Sequence, residues 1–147
     1  MVLPTVDIQG DSIRIRDVRN CKYRSLSDYE VRHYNVGFQL DDVQTVDFVV
    51  VPFASSDFLA HTMLSFGLKD GRYFVVSVEA RLEQGEQYST TEGMRNQYEL
   101  MYVVGDERDL IPLRTRIRNV DCFLYPGRAN PRDAQRLFVD IAERINQ

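Results

Sequence analysis

The sequence predicts an α+β fold over residues 1–147 as a single domain: a mainly antiparallel sheet with one C-terminal helix packed on it. Three observations carry this. Residues 61–81 hold two alternating runs joined by Lys69-Asp70-Gly71, the pattern of a β-hairpin. Short apolar or alternating runs bounded by turn residues stand before and after it. Behind Asn130 and Pro131, Ala134, Leu137, Phe138, Ile141, Ala142 and Ile145 recur at helical spacing.

The elements follow in order. Thr5–Ile8 and Ile13–Arg16 read as short extended pieces around the turn Gln9-Gly10-Asp11-Ser12. Residues 20–45 read as polar and irregular. Val46–Val51 reads as a short strand buried on both faces. In the hairpin, Thr62, Leu64, Phe66 and Leu68 face one way with Phe74, Val76, Val78 and Ala80, which predicts a half-buried sheet. Residues 82–96, polar and containing Gly85 and Gly93, read as a long loop. Gln97–Val104, Ile111–Ile117 and Cys122–Tyr125 read as further strands, with a turn at Gly105-Asp106-Glu107-Arg108-Asp109. Asn130 is the expected cap of the last helix and Pro131 its first-turn residue.

The hairpin register can be argued. A two-residue Asp70-Gly71 loop sets the apolar face of one strand beside the polar face of the other. A three-residue loop, with Gly71 left-handed in a bulge, pairs Leu68 with Arg72 and aligns Phe66 with Phe74 and Leu64 with Val76. Because a one-residue slip flips every side chain, the pattern selects the second register. His61 then falls across from Glu79.

At 147 residues, 44% hydrophobic and 27% charged, the chain has the size and composition of one globular domain that buries a core. Its net charge of −4 argues against a nucleic-acid partner. No apolar run approaches the roughly 20 residues of a membrane span. The first twenty residues carry charges throughout and no apolar signal-peptide core. Cys21 and Cys122 are too few for a disulfide framework. His33 and His61 are the only histidines, and no spacing suggests a zinc site. The glycines fit neither a phosphate-binding nor a dinucleotide-binding loop, so no cofactor or metal is expected.

His61 and Glu79 are the candidate site residues. An imidazole held by a carboxylate is fixed in orientation and is a better base, which suits a nucleophile–histidine–acid site. On spacing alone the pair reads first as a cross-strand contact that stabilises the sheet. Ser65 and Ser77 share that face, but neither stands in a strand-to-helix elbow that would expose a nucleophilic serine. Cys122 reads as a core residue. Cys21, between Arg19 and Lys22, has cations nearby that favour a thiolate, and an enzyme pairing it with His61 or His33 is an alternative.

Several runs together resemble a known family. They are Asp17-Val18-Arg19-Asn20 with Tyr23-Arg24 and Asp28; Val46-Asp47-Phe48 with Pro52-Phe53; and Ala60-His61-Thr62-Met63-Leu64-Ser65-Phe66-Gly67. Asp70-Gly71, Ser77-Val78-Glu79-Ala80-Arg81, Tyr98 to Val104, Asp106-Glu107-Arg108-Asp109-Leu110 and Leu113-Arg114-Thr115 complete the pattern. From about residue 8 to its end the chain resembles the Lnb N-terminal periplasmic domain family, long listed as a domain of unknown function.

The resemblance implies a periplasmic or extracytoplasmic bacterial envelope protein, with membrane attachment only through segments outside this chain. It implies a permuted papain-like (NlpC-type) fold in which histidine precedes cysteine. The implied chemistry is lipoprotein N-acylation through a thioester, with a lipid or lipoprotein as substrate of the parent protein. The family histidine falls on His61, and Glu79 is a plausible third member. The family nucleophile sits in an Asn-Cys-Thr motif after the terminal helix. This sequence closes on Ile145-Asn146-Gln147 without it, so the chain is expected to be the His-bearing N-terminal part of a larger domain, inactive alone. The other reading is a non-catalytic envelope module that binds lipid, peptidoglycan or a protein.

Overall fold

The computed structural model describes residues 2–54, 59–81 and 99–147. β1 (Thr5–Gln9) and β2 (Ser12–Arg19) form the first hairpin. β3 (Lys22–Tyr23) and β4 (Tyr29–Glu30) pair in a small sheet of their own. β5 (His33–Gln39) leads through a 3₁₀ turn, Leu40–Asp42, into β6 (Val43–Pro52). β7 (Ala60–Leu68) and β8 (Tyr73–Arg81) form the central hairpin, followed by β9 (Glu99–Asp106). A helical segment comes next: α1 (Glu107–Pro112), then a π turn, Leu113–Ile117. β10 (Phe123–Pro126) and α2 (Pro131–Ile145) close the described chain.

The main sheet runs β1-β2-β9-β8-β7-β6-β10, with β5 pairing the other side of β2. Its pairings are antiparallel except for a single parallel bridge, Arg19 to Gly105, that joins β2 to β9. The α+β reading with a mainly antiparallel sheet and a C-terminal helix therefore holds.

The central hairpin adopts the three-residue loop. Leu68 N–H donates to Arg72 O at 2.9 Å, Gly71 N–H donates to Leu68 O at 3.0 Å, and Gly71 has φ +82°. Phe66 pairs with Phe74 and Leu64 with Val76, as the apolar pattern demands.

α2 begins where the capping logic places it. The Asn130 side chain accepts from Asp133 N–H at 3.0 Å, and Pro131 is the first helical residue. Ala134, Phe138 and Ala142 are fully buried against one face of the sheet. Phe38, Phe66, Phe74 and Phe138 meet there with ring centroids 5.5–5.7 Å apart. At the far end, Asn146 ties the helix to β1: its Oδ1 accepts from Val6 N–H and its Nδ2 donates to Val6 O.

The structure corrects four expectations. Ile111–Ile117 is helical, not a strand. Asp106 caps α1 by accepting from Arg108 N–H, with Glu107 and Asp109 in the first turn, so the acidic run starts a helix. Pro112 lacks the N–H that the α ladder needs, and the helix widens to π directly after it. Residues 20–45 are not irregular: Tyr34, Val36 and Phe38 point inward from β5, a period-two signal diluted by the Asn35 and Gly37 between them.

The apolar strand at 46–51 is longer, Val43–Pro52, and feeds both cores: Val46 packs on the α2 side, Val49 and Val51 on the other. The sheet is likewise not half-buried at its centre. Met63, Val75, Val103 and Leu110 form a second core under α1 and the π turn, with Ile111, Val120 and Cys122 at its margin. The expected loop at 82–96 and the start of the strand expected at Gln97 lie outside the described residues.

Candidate functional site

The second core is the floor of a polar cluster. His61 and Ser77 stand on the same sheet face as Met63 and Val75, and Glu79 follows Ser77 along β8 on that face. Alternation along the hairpin therefore gathers the three polar side chains on the face that the π turn reaches through Arg114. His61 pairs Val51 on its β6 side.

The contacts are specific. His61 Nε2 lies 2.8 Å from Ser77 Oγ, and Ser77 donates to Glu79 Oε1 at 2.7 Å. His61 Nε2 and Glu79 Oε1 approach to 3.4 Å. The expected pairing of His61 with Glu79 is thus present as a 3.4 Å approach, while the shorter hydrogen-bonded route runs through Ser77. Ser77 is fully buried.

The fourth member was not legible in the sequence. Arg114, in the π turn, donates from Nη2 to Glu79 Oε1 at 2.8 Å and lies 3.3 Å from His61 Nε2. Its Nη1 donates to Leu110 O at 3.2 Å. Only 5% of its side chain is exposed, against 18% for His61 and 29% for Glu79. No spacing rule links Arg114 to Glu79, and reading 111–117 as a strand rather than a helix hides it further.

Electrostatics bind the cluster. Burial opposes the Glu79 charge, but contacts from His61 and Ser77 and the Arg114 charge outweigh it and bring its pKa from 4.5 to about 2. Burial pushes the Arg114 guanidinium below its usual value, with Glu79 countering. An ionised carboxylate, a buried arginine and a hydroxyl are together arranged around one nitrogen of one imidazole. Such an arrangement holds the ring in one orientation.

The remaining candidates stand elsewhere. Ser65 donates to Glu107 at 3.2 Å and takes no part in the His61 contacts. Burial, aided by Asp47 and Asp106, raises the Glu107 carboxyl. Cys21 is buried, and its N–H donates to Asp109 Oδ2 at 2.6 Å. Asp109, itself fully buried, also receives both ends of the Arg19 guanidinium at 3.1 and 3.2 Å. A bulge at Asp17, φ +58°, shifts the β2 register just before Arg19. His33 opposite Arg19 begins β5. Among the described residues His61 meets Ser77, Glu79 and Arg114, and neither cysteine bonds to it.

Both cysteines are free. Burial raises the Cys122 thiol, with Arg114 only partly countering, which disfavours its thiolate form. Among the described residues no group of three or more His, Cys, Asp and Glu side chains is placed to hold a metal, and no helix is long and apolar enough to cross a membrane.

One family model, described as the Lnb N-terminal periplasmic domain, matches residues 30–147. The name puts the family's domain in the periplasm. No curated protein and no solved structure matches the chain.

Proposed function

The chain belongs to the Lnb N-terminal periplasmic domain family, and from that premise we propose that it supplies the histidine side of a periplasmic cysteine acyltransferase or hydrolase site. The observation that carries this reading is the support of His61. Its Nε2 is engaged by Ser77, with Glu79 held ionised behind it and Arg114 fixing Glu79. A sheet-stabilising ion pair needs no buried hydroxyl and no buried arginine around it. A general base needs a ring held in one orientation.

In this reading a thiol gives its proton to His61 and attacks the carbonyl of an acyl ester. The C–O bond breaks, His61 returns the proton to the leaving oxygen, and a thioester remains. An amine or water then attacks the thioester while His61 takes its proton, and the thiol is released. Cys21 and Cys122 do not contact His61. In this proposal the thiol belongs to an Asn-Cys-Thr motif after the terminal helix, as the family resemblance implies. Substrate and acyl donor are lipids or lipoproteins in this proposal, and no cofactor is used.

The test is acyl capture by the complete gene product. Wild type, His61→Ala and Glu79→Gln are incubated with an activated acyl ester, and hydroxylamine-labile acyl groups on protein are counted. We expect His61→Ala to slow labelling by about 100-fold or more. Labelling at the wild-type rate without His61 would remove the histidine from the chemistry. No labelling of any form would instead favour a binding module.

A further inference from the structure

The contacts around His61 also determine which of its nitrogens carries the proton. A serine hydroxyl has one proton to give. Ser77 gives it to Glu79 Oε1 at 2.7 Å, and Glu79 is the ionised, acceptor-only partner. What Ser77 turns toward His61 Nε2 at 2.8 Å is therefore a lone pair. A short contact onto a lone pair requires a proton on Nε2. Arg114 makes the opposite demand, because a guanidinium only donates and its Nη2 faces the same Nε2. Its contact is longer, 3.3 Å, and the short contact of the same Nη2, 2.8 Å, goes to Glu79.

We propose that Ser77 is a positioning residue that holds His61 as its Nε2–H tautomer, leaving Nδ1 unprotonated, and that Arg114 is the competing donor that would invert the ring if Ser77 were lost. Among the described residues, the groups that face the ring are Ser77 and Glu79 from β8, Arg114 from the π turn and the apolar Val51 from β6. With Nε2 occupied, Nδ1 is the nitrogen that takes a proton from a thiol. That last consequence rests on the acyl-transfer reading; the tautomer itself does not. Ser77 thus matters although it is no nucleophile. It converts a 3.4 Å approach between His61 and Glu79 into two short hydrogen bonds of fixed polarity.

The experiment is ring ¹⁵N spectroscopy on the chain labelled at histidine. There are two histidines, His33 and His61, so His61→Ala assigns the signals at once. Long-range ¹H–¹⁵N correlations at about pH 8, where a free imidazole is neutral, separate the tautomers. Wild type, Arg114→Gln and Ser77→Thr are expected to show His61 with the proton on Nε2. Ser77→Ala is expected to move the population at least tenfold toward Nδ1–H, as Arg114 donates to the bared Nε2. A wild-type ring with its proton on Nδ1, a Ser77→Thr ring that inverts, or a folded Ser77→Ala ring that stays Nε2–H would each overturn the proposal. If Ser77→Ala does not fold, the wild-type and Ser77→Thr spectra still decide. Acyl capture fails or succeeds independently of these spectra, so the two readings fall separately.

Discussion

Arg114 Nη2 donates to Glu79 Oε1 at 2.8 Å although 35 positions of chain separate the two residues. The π turn carries Arg114 to the edge of the hairpin, and the same guanidinium satisfies the Leu110 carbonyl. One side chain therefore joins the helical segment to the polar cluster of the sheet.

Removing that side chain leaves a partly buried carboxylate without its cation. We expect Arg114→Met to destabilise the fold by about 3 kcal/mol, at the lower end of what breaking a buried pair costs. Arg114→Met combined with Glu79→Gln should recover part of the loss. A double-mutant cycle from urea midpoints measures the coupling, and strict additivity would mean the contact carries none of it.

The depressed pKa of Glu79 sets a pH dependence. Its folded value, about 2, lies below the ordinary 4.5, so its stabilisation is fully present above pH 4.5 and is lost as pH falls toward 2. By linkage the contribution is on the order of 1–3 kcal/mol, reduced by the partial exposure of the group. Exposed Asp28, Glu30 and Asp70 are also held low by hydrogen bonds, from Arg24, Arg32 and the Arg72 backbone respectively, but they titrate alike in wild type and Glu79→Gln. The stability difference between those two proteins should therefore be large at pH 7 and shrink to about a quarter of that at pH 2.5. A constant gap across this range would show that Glu79 is not held ionised by the cluster.

Asp109 holds the backbone at Cys21. It accepts from the Cys21 N–H and from both ends of Arg19, and it is fully buried. Asp109→Ala should cost about 2 kcal/mol, as expected for hydrogen bonds to a charged group. It should also speed alkylation of Cys21 several-fold under native conditions. Unchanged alkylation would mean that packing alone covers the thiol.

Phe138 is the α2 residue at the centre of the aromatic quartet, fully buried and within 5.7 Å of three other rings. Phe138→Ala should destabilise by about 3–5 kcal/mol. Thermal unfolding followed by circular dichroism measures it, and a loss below about 1 kcal/mol would place the folding core elsewhere.

Much of this is legible in the sequence. Period-two alternation at 61–81 set the hairpin, its loop type and the approach of His61 to Glu79, because only one register keeps Phe66, Phe74, Leu64 and Val76 on one face. Asn130, Pro131 and the stripe from Ala134 to Ile145 set the last helix. The segment at 111–117 misled, because Ile111, Leu113 and Ile117 also alternate. Asp106 as a cap and Pro112 as the cause of a π turn were the competing signals, and they prevailed.

The chain's sequence by itself determined the fold class, the hairpin register and the placing of one histidine beside one carboxylate. Those are consequences of local periodicity and capping, which act over a few residues. Tertiary structure alone decided that the odd-numbered face of the hairpin would be covered, that Ser77 would stand between His61 and Glu79, and that Arg114 would arrive from the other side. Those relations depend on how α1 and the π turn pack over Val75, Val103 and Met63. Packing joins residues far apart in the chain by shape and burial, and no repeating interval in the sequence records it.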